Sequence, residues 1–242
     1  MTVNQIIKEV RWCIDEEAVN MASLANASAY DFDDGSHTDI GLMNNIIKSK
    51  IGDALRWICL YAPADLLGGT DEYNSTVPVN TGILVDVSGT PIAITGTQAG
   101  KLTMPDDFVK LARVRVSGWH RAVKELLAED SDEYLQLYDE NGATATLDRP
   151  QAVLIEKSIR EIEVWPTGLS AEYTYVANVD ANDVIKTRQE GGGTVEYVAL
   201  PPRIKTSFIY YLAFLLLSAY GDARGERMLE IAMQNLNVTI KQ

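Results

Sequence analysis

Apolar residues recur at every third or fourth position near both ends of the chain, a spacing typical of amphipathic helices. In the N-terminal part, this spacing predicts one helix over residues 2–27 and a second helix that Ser36 or Thr38 caps and that ends near Pro63. Two long helices joined by a loop of about ten residues favour an antiparallel pairing. We therefore predict that residues 1–65 form a helical hairpin.

The middle of the chain, residues 66–200, consists of short apolar runs separated by Gly, Pro and Asp, which indicates a small antiparallel β module. Ser88-Gly89 predicts the turn of a hairpin between residues 82–87 and 91–97. A polar stretch at 178–193 that ends in three glycines predicts a loop. Further strands are predicted at residues 108–117, 152–156, 159–165 and 172–177, and a short helix at 131–138.

Helical spacing returns after Pro201-Pro202 and continues to about residue 236, with Gly221 as a break between two helices. The apolar run 208–220 is shorter than the roughly 20 residues that a membrane-crossing helix needs, so we expect a buried helix and no membrane partner. The predicted fold is α+β. In it, residues 201–242 complete a helical bundle with the N-terminal hairpin, and the antiparallel β module is inserted between them.

Composition favours a folded chain made in a reducing compartment. Of the 242 residues, 46% are apolar and 23% are charged, as in globular proteins that bury a core. The 2 Cys residues cannot form a disulfide framework. Because Met1 is not followed by a basic segment and an apolar segment, the sequence shows no secretory signal, and we expect an intracellular site of synthesis.

The charge of the chain is acidic and unevenly distributed. Lys and Arg number 21 against 34 Asp and Glu, a formal net charge of -13. Residues 201–242 carry 5 basic and 3 acidic groups, so this segment is +2 and the rest of the chain is -15. Such a surface repels phosphate, which excludes sequence-specific reading of DNA. The densest acidic stretch, residues 125–140, is expected to be a solvated surface.

No arrangement of residues in the sequence predicts catalysis or a bound cofactor or metal. His37 and His120 are far apart and lie in no ligand spacing. A calcium loop that started at Asp31 would place Ser36 and Leu42 where Gly and Glu are needed. The glycines at 191–193 are not followed by the Lys of a phosphate-binding loop. We therefore predict no catalytic, cofactor-binding or metal-binding residues and no enzyme activity.

One stretch, residues 102–123, is more specific than its composition. It contains Pro105, Asp107 and Phe108 at the start of a predicted strand and Trp119 after it. The stretch resembles the entry into the β module of head-to-tail connector proteins of short-tailed phages, particularly crAss-like phages. The N-terminal helix pair and the closing helices at 201–236 are similar to the adaptor fold of phage necks.

The resemblance implies a structural virion protein of the connector, or neck, made in the cytoplasm of the host bacterium. Such adaptors form a ring, usually of twelve subunits, that docks beneath the portal protein, contacts other neck and tail proteins, and extends the DNA channel toward the tail. DNA would pass through the lumen without specific binding. The residues expected to dock an acidic neighbour such as the portal lie in the basic C-terminal segment: Arg224, Arg227, Met228, Ile231 and Lys241. Alternatively, these Arg and Lys side chains only face water on the surface of the last helix and bind no partner.

Two other functions stay open at this point. The chain could be a cytoplasmic protein-binding module that acts through its β domain, with exposed Trp119, Trp165 or Tyr175 as anchors. It could also be an enzyme of unrecognised type whose catalytic groups converge only in the folded chain.

Overall fold

The computed structural model describes residues 1–14, 38–68, 70–71, 79–95, 99–138, 145–155, 160–180, 183–190 and 192–236. In chain order the helices are α1 (Val3–Cys13), α2 (Thr38–Tyr61), α3 (Ala64–Leu67), α4 (Asp132–Tyr138), α5 (Lys205–Ala219) and α6 (Arg224–Asn235), with a 3-10 turn at Pro202–Ile204. The strands are β1 (Thr70–Asp71), β2 (Val79–Asn80), β3 (Leu84–Pro91), β4 (Ala93–Ile94), β5 (Gly100–Thr103), β6 (Phe108–Val116), β7 (Gln151–Leu154), β8 (Glu161–Trp165), β9 (Ser170–Ala177), β10 (Ile185–Glu190) and β11 (Gly193–Val198).

The chain divides into two compact units. Met1–Thr81 and Val179–Gln242 form the first, which we call the helical unit, and Gly82–Asn178 forms the second, which we call the β unit. All strand pairs in the two units are antiparallel, so the predicted α+β class with antiparallel sheets is confirmed for the described residues. The β unit covers less of the chain than the predicted module 66–200, because β1, β2, β10 and β11 belong to the helical unit.

In the helical unit, α5 contacts α1, α2 and α6. Phe208 and Leu212 of α5 are completely buried, as are Ile6 of α1 and Ile51 of α2. A capping box starts α1, in which the Thr2 hydroxyl accepts a hydrogen bond from the backbone of Gln5 and the Gln5 side chain accepts one from Thr2. Apolar spacing thus predicted the existence of α1, α2, α5 and α6.

Strand β11 is joined to the start of α1. The backbones of Met1 and Val198 exchange hydrogen bonds, each 2.9 Å long, and Thr2 forms a β-bridge with Tyr197. The predicted loop at 178–193 is wrong in its second half, since Ile185–Glu190 is strand β10 and pairs with β11 along its whole length. The strand carries the sequence Ile-Lys-Thr-Arg-Gln-Glu. Its polar side chains concealed it, because only one position of the strand is apolar.

The β unit consists of two antiparallel sheets, with strand orders β3-β9-β6 and β4-β5-β8-β7. Buried residues of both sheets form one apolar core that includes Leu102, Val114, Ile162 and Tyr173. The predicted hairpin at Ser88-Gly89 is wrong. This dipeptide lies inside β3, at a register shift between Val87 and Thr90 in the pairing with β9. Gly89 has a positive φ of 74°, which suits a bulge as well as a turn.

Gly221 has a φ of 69° and separates α5 from α6, so the predicted break between the last two helices is confirmed. The first predicted helix, residues 2–27, is observed as α1 up to Cys13, and its remainder lies outside the described residues. Ser36 and His37 lie outside them as well. Among the described residues, no helix has the length and apolar character that a membrane crossing requires.

Gly168, between β8 and β9, lies in a tightly packed part of the β unit. A Cβ atom at Gly168 would lie 2.7 Å from the backbone oxygen of Ser117 and 2.6 Å from a methyl group of Val116. We expect Gly168→Ala to lower the free energy of unfolding by about 1–3 kcal/mol, because these neighbours must move. Equilibrium denaturation in urea measures the change.

The matched control is Gly193→Ala in β11, where the nearest atom to an added Cβ is 3.9 Å away. This variant should unfold within about 0.5 kcal/mol of the natural chain. Equal stability of the two variants would contradict the tight packing of the turn at Gly168.

Candidate interaction surfaces

The residues predicted to dock a neighbour lie along one side of α6. Arg224 and Arg227 are exposed, and Met228 and Ile231 are half-buried. Positions three and four apart in a helix share a face, so these four side chains form one stripe that is cationic at its N-terminal end and apolar further on. Lys241 lies outside the described residues.

The guanidinium of Arg224 already has partners within the chain. Its Nη2 atom donates to Asp222 at 2.7 Å, and its Nη1 atom donates at 3.4 Å to the carbonyl oxygen of Ile14, the residue that caps the C-terminus of α1. The side-chain hydrogen bond from Arg224 lowers the pKa of the Asp222 carboxyl. Arg224 therefore orders the corner between α5 and α6, and Arg227 is the cation of the stripe that is better placed to meet a partner.

In the part of the helical unit that the structure describes, the large exposed apolar side chains fall into two separate groups. The first consists of Trp12 in the last turn of α1 and Tyr220 after α5, which are 75% and 64% exposed. The hydrogen bond between Arg224 and Ile14 brings the α5–α6 corner to the C-terminal end of α1. The second group is Leu60 and Tyr61 at the end of α2.

Hydrogen bonding shows that the two groups lie apart along α2. The Arg11 side chain, next to Trp12, donates to Asn44 in the N-terminal half of α2 at 3.2 Å. Tyr61 follows Asn44 by 17 residues, which is a rise of roughly 25 Å along a helix. The helical unit therefore presents two different exposed apolar groups, and neither was singled out from the sequence.

The motif at the entry of the β module has a structural role in the fold. The carbonyl oxygen of Pro105 accepts a hydrogen bond from Phe108, which closes the turn before β6. The Asp107 carboxylate accepts one from the Tyr175 hydroxyl at 2.9 Å. Trp119 is 1% exposed, and its indole N–H donates to the carbonyl oxygen of Pro166 at 2.8 Å. These residues join the ends of strands and fill the core.

The anchors expected for a binding module that acts through its β domain are not exposed. Trp119, Trp165 and Tyr175 are 1%, 6% and 4% exposed. Each lies in the apolar interior of the β unit, where no protein partner can reach it without unfolding. The expectation that one of these side chains is an exposed anchor is therefore wrong.

A buried carboxylate fastens α4 to the second sheet of the β unit. Glu163 of β8 is 6% exposed, and its two oxygens accept hydrogen bonds from the hydroxyls of Tyr134 and Tyr138 at 2.9 and 2.5 Å. Burial, together with the bonded carboxylate, raises the pKa of Tyr138. Because both oxygens have donors, Glu163 acts as a fixing point for the helix.

The remaining candidates for chemistry in the described residues are one histidine and two cysteines. His120 is exposed, and its Nδ1 atom lies 2.6 Å from the carboxylate of Asp148. Burial raises the pKa of the Cys13 thiol, and Cys59 is buried. Within the described ranges, no three His, Cys, Asp or Glu side chains are placed to hold a metal ion.

Sequence reasoning also missed two exposed leucines of the β unit, Leu147 and Leu169. No periodicity marks them, since both lie in turns. The sequence did contain a sign of a charged surface near them: residues 108–124 contain five cations and no carboxylate.

No protein-family model matches the chain, and no curated protein matches it in sequence.

The bond between Tyr175 and Asp107 makes stability depend on pH in the alkaline range. Burial, and then the hydrogen bond to Asp107, raise the pKa of Tyr175 to about 12, whereas an unfolded tyrosine titrates near about 10. The folded pKa is the higher one, so the contribution is complete below about pH 10 and is lost as the pH rises toward about 12.

We expect the free energy of unfolding to fall over this interval, and Tyr175→Phe to flatten part of the decline. Urea denaturation at stepped pH measures it, and Tyr220→Phe, which changes an exposed tyrosine, is the control. A decline with the same slope in Tyr175→Phe and in the natural chain would refute the assignment.

Proposed function

We propose that this chain is a subunit of the head-to-tail connector of a short-tailed phage, a structural virion protein that forms a ring beneath the portal and extends the DNA channel toward the tail. In this proposal the helices from both ends of the chain form one bundle, and the β unit is inserted between them in the sequence. The observation that carries the proposal is the pair of separate exposed apolar groups on the helical unit, Trp12 with Tyr220 and Leu60 with Tyr61.

Two different surfaces are what a cyclic assembly requires. In a ring, every subunit contacts one neighbour through one surface and the other neighbour through a second surface that complements the first. Aromatic side chains such as Trp12, Tyr61 and Tyr220 are the residue types that contribute most to protein interfaces. Their exposure in the single chain supports a state in which sister copies cover them.

The charge of the chain supports a role as a conduit. A net charge of -13 per subunit, repeated around a ring, surrounds the lumen with negative potential. DNA phosphates are repelled by such a wall, so the duplex can slide without being held. A connector needs this property, whereas a protein that packages or reads DNA needs the opposite one.

Docking to the portal is assigned to the stripe on α6. Arg227 is exposed and cationic, and Met228 and Ile231 present half-buried apolar surface beside it. Arg224 contributes by holding the N-terminal end of the helix in place through Asp222 and Ile14. An acidic, partly apolar surface on the portal would complement this stripe.

The ring can be tested with variants of the two apolar groups. We expect Trp12→Ser and the double variant Leu60→Ser/Tyr61→Ser to weaken assembly at least about tenfold, because each removes a contact that one neighbour needs. Purified natural chain, alone and with the portal protein of the same phage, is examined by sedimentation velocity and by electron microscopy for rotational symmetry.

The control is Ile94→Ser in the β unit, where the side chain is 63% exposed and belongs to neither group. Trp12→Ser and Ile94→Ser should keep the melting temperature of the natural chain, since these side chains are mostly exposed. Tyr61→Ser also removes a ring contact with Trp57, so the double variant is compared at a temperature at which circular dichroism shows it folded. A natural chain that stays monomeric with portal at high concentration counts against the connector, as does normal assembly of both apolar variants.

A further inference from the structure

Two exposed leucines are held rigidly at one end of the β unit. Leu169, between β8 and β9, is 83% exposed, and Leu147 is 43% exposed. The hydroxyl of Ser117 accepts hydrogen bonds from the backbone N–H groups of Leu169 and Ser170 at 3.1 and 3.3 Å. The backbone of His120 donates to the carbonyl oxygen of Leu147 at 2.9 Å. Both leucines are therefore fixed to the turn that follows β6, and we call them the leucine tip.

Positive charge lies beside the leucine tip. The segment 108–124, which includes that turn, contains no carboxylate; of its cations, Arg121 follows the turn, whereas Arg113 lies in β6 and is paired with Asp86. Arg121 is exposed next to His120, and Arg149 is exposed two residues after Leu147. The carboxylate of this turn, Asp148, lies against His120. An apolar protrusion with flanking guanidinium groups suits a partner with apolar side chains among carboxylates.

Such a surface exists on α4 of the same chain. Leu135 lies three residues from both Asp132 and Tyr138, so it is beside each of them on the helix surface. Leu135 and Tyr138 are 60% and 57% exposed, and Asp132 and Glu133 are exposed as well. Residues 125–138 carry five carboxylates and no cation. We call this surface the acidic face of α4.

The acidic face is as rigid as the leucine tip. The buried Glu163 accepts the hydroxyl hydrogen bonds of Tyr134 and Tyr138, so α4 cannot turn its exposed side inward without leaving that carboxylate without donors. Leu135 therefore stays exposed in the single chain. Two preformed surfaces lose little conformational freedom when they meet, which favours their association.

We propose that the leucine tip of one copy docks on the acidic face of α4 of a second copy. The inference deepens the proposed function, on which it rests, by naming one contact between neighbouring subunits. Leu147 and Leu169 pack against Leu135 and Tyr138, and Arg121 and Arg149 face the carboxylates at 129–133. The contact reconciles self-association with a chain of net charge -13, because it joins two exposed arginines to the densest negative segment.

Charge reversal on each side tests the contact in the full chain. Arg121→Glu/Arg149→Glu places negative charge on the tip, and Asp132→Lys/Glu133→Lys places positive charge on the acidic face. We expect each double variant to weaken self-association at least about tenfold in sedimentation velocity at low salt. The quadruple variant, which reverses both sides, should recover most of the association, since the charges match again.

Two further variants separate this contact from general effects. Lys186→Glu/Arg203→Glu makes the same change of net charge at exposed positions of the helical unit and should associate like the natural chain. Leu147→Ser/Leu169→Ser removes the apolar part and should weaken association while preserving the melting temperature. Association of the tip variants equal to that of the natural chain overturns the inference, and so does a quadruple variant as weak as the double ones.

The outcomes also distinguish this inference from the proposed function. If ring-sized species form and the tip variants leave them unchanged, the inference fails and the connector stands. If the natural chain forms only small oligomers that the tip variants dissociate, with or without portal, the contact stands and the ring fails. Absence of any association, including with portal, overturns both.

Discussion

The structure depends on the covering of α5. Its sequence is apolar over nearly its whole length, so it has no face that can stay in water, and Phe208, Leu212 and Ala213 are completely buried. The covering comes from α1, α2 and α6, two of which belong to the other end of the chain. This single requirement joins the chain ends in one unit. Residues Gly82–Asn178, which lie between them in the sequence, form the separate β unit.

Because α1, α2 and α6 cover α5, their own outer faces are in contact with water. These outer faces are not uniformly polar: Trp12, Leu60 and Tyr61 are exposed on α1 and α2. In the β unit, α4 and the turns near Ser117 expose leucines in the same way. Charge adds direction to this surface, since cations collect around residues 108–124 and carboxylates around 125–138. Exposed apolar groups supply the drive to associate, and charge selects which surfaces meet.

The sequence predicted those parts of the fold that have a regular repeat. Spacing of three and four located α1, α2, α5 and α6, and short apolar runs located β6, β8 and β9. It failed where one pattern fits two structures. Ser88-Gly89 suits a bulge as well as a turn, and β10 is polar at every position except Ile185, a composition that also fits a loop until β11 pairs with it. The partners that decide these cases are distant in the chain.

Exposure was the hardest property to predict. Trp119 and Tyr175 carry polar atoms, so either could lie at a surface, but Pro166 and Asp107 satisfy those atoms inside the β unit. Leu169 is apolar and yet exposed, because Ser117 and Gly168 hold its turn outward. Among the docking residues predicted on α6, Arg227 is exposed. Arg224 also forms hydrogen bonds within the chain, where it orders the connection between α5 and α6.

The attachment of the β unit has a mechanical consequence. The chain enters this unit just before β3 and leaves it just after β9, and these strands are neighbours, with Leu84 paired to Val176. A pulling force through the two connections therefore acts at one end of a hydrogen-bonded ladder. The hydrogen bonds between β3 and β9 would break one after another. If the connections lay at opposite ends of the two strands, the force would load all of these hydrogen bonds at once, in shear. Tension across the two connections would therefore open the pairing of β3 with β9 in steps, starting at Leu84 and Val176.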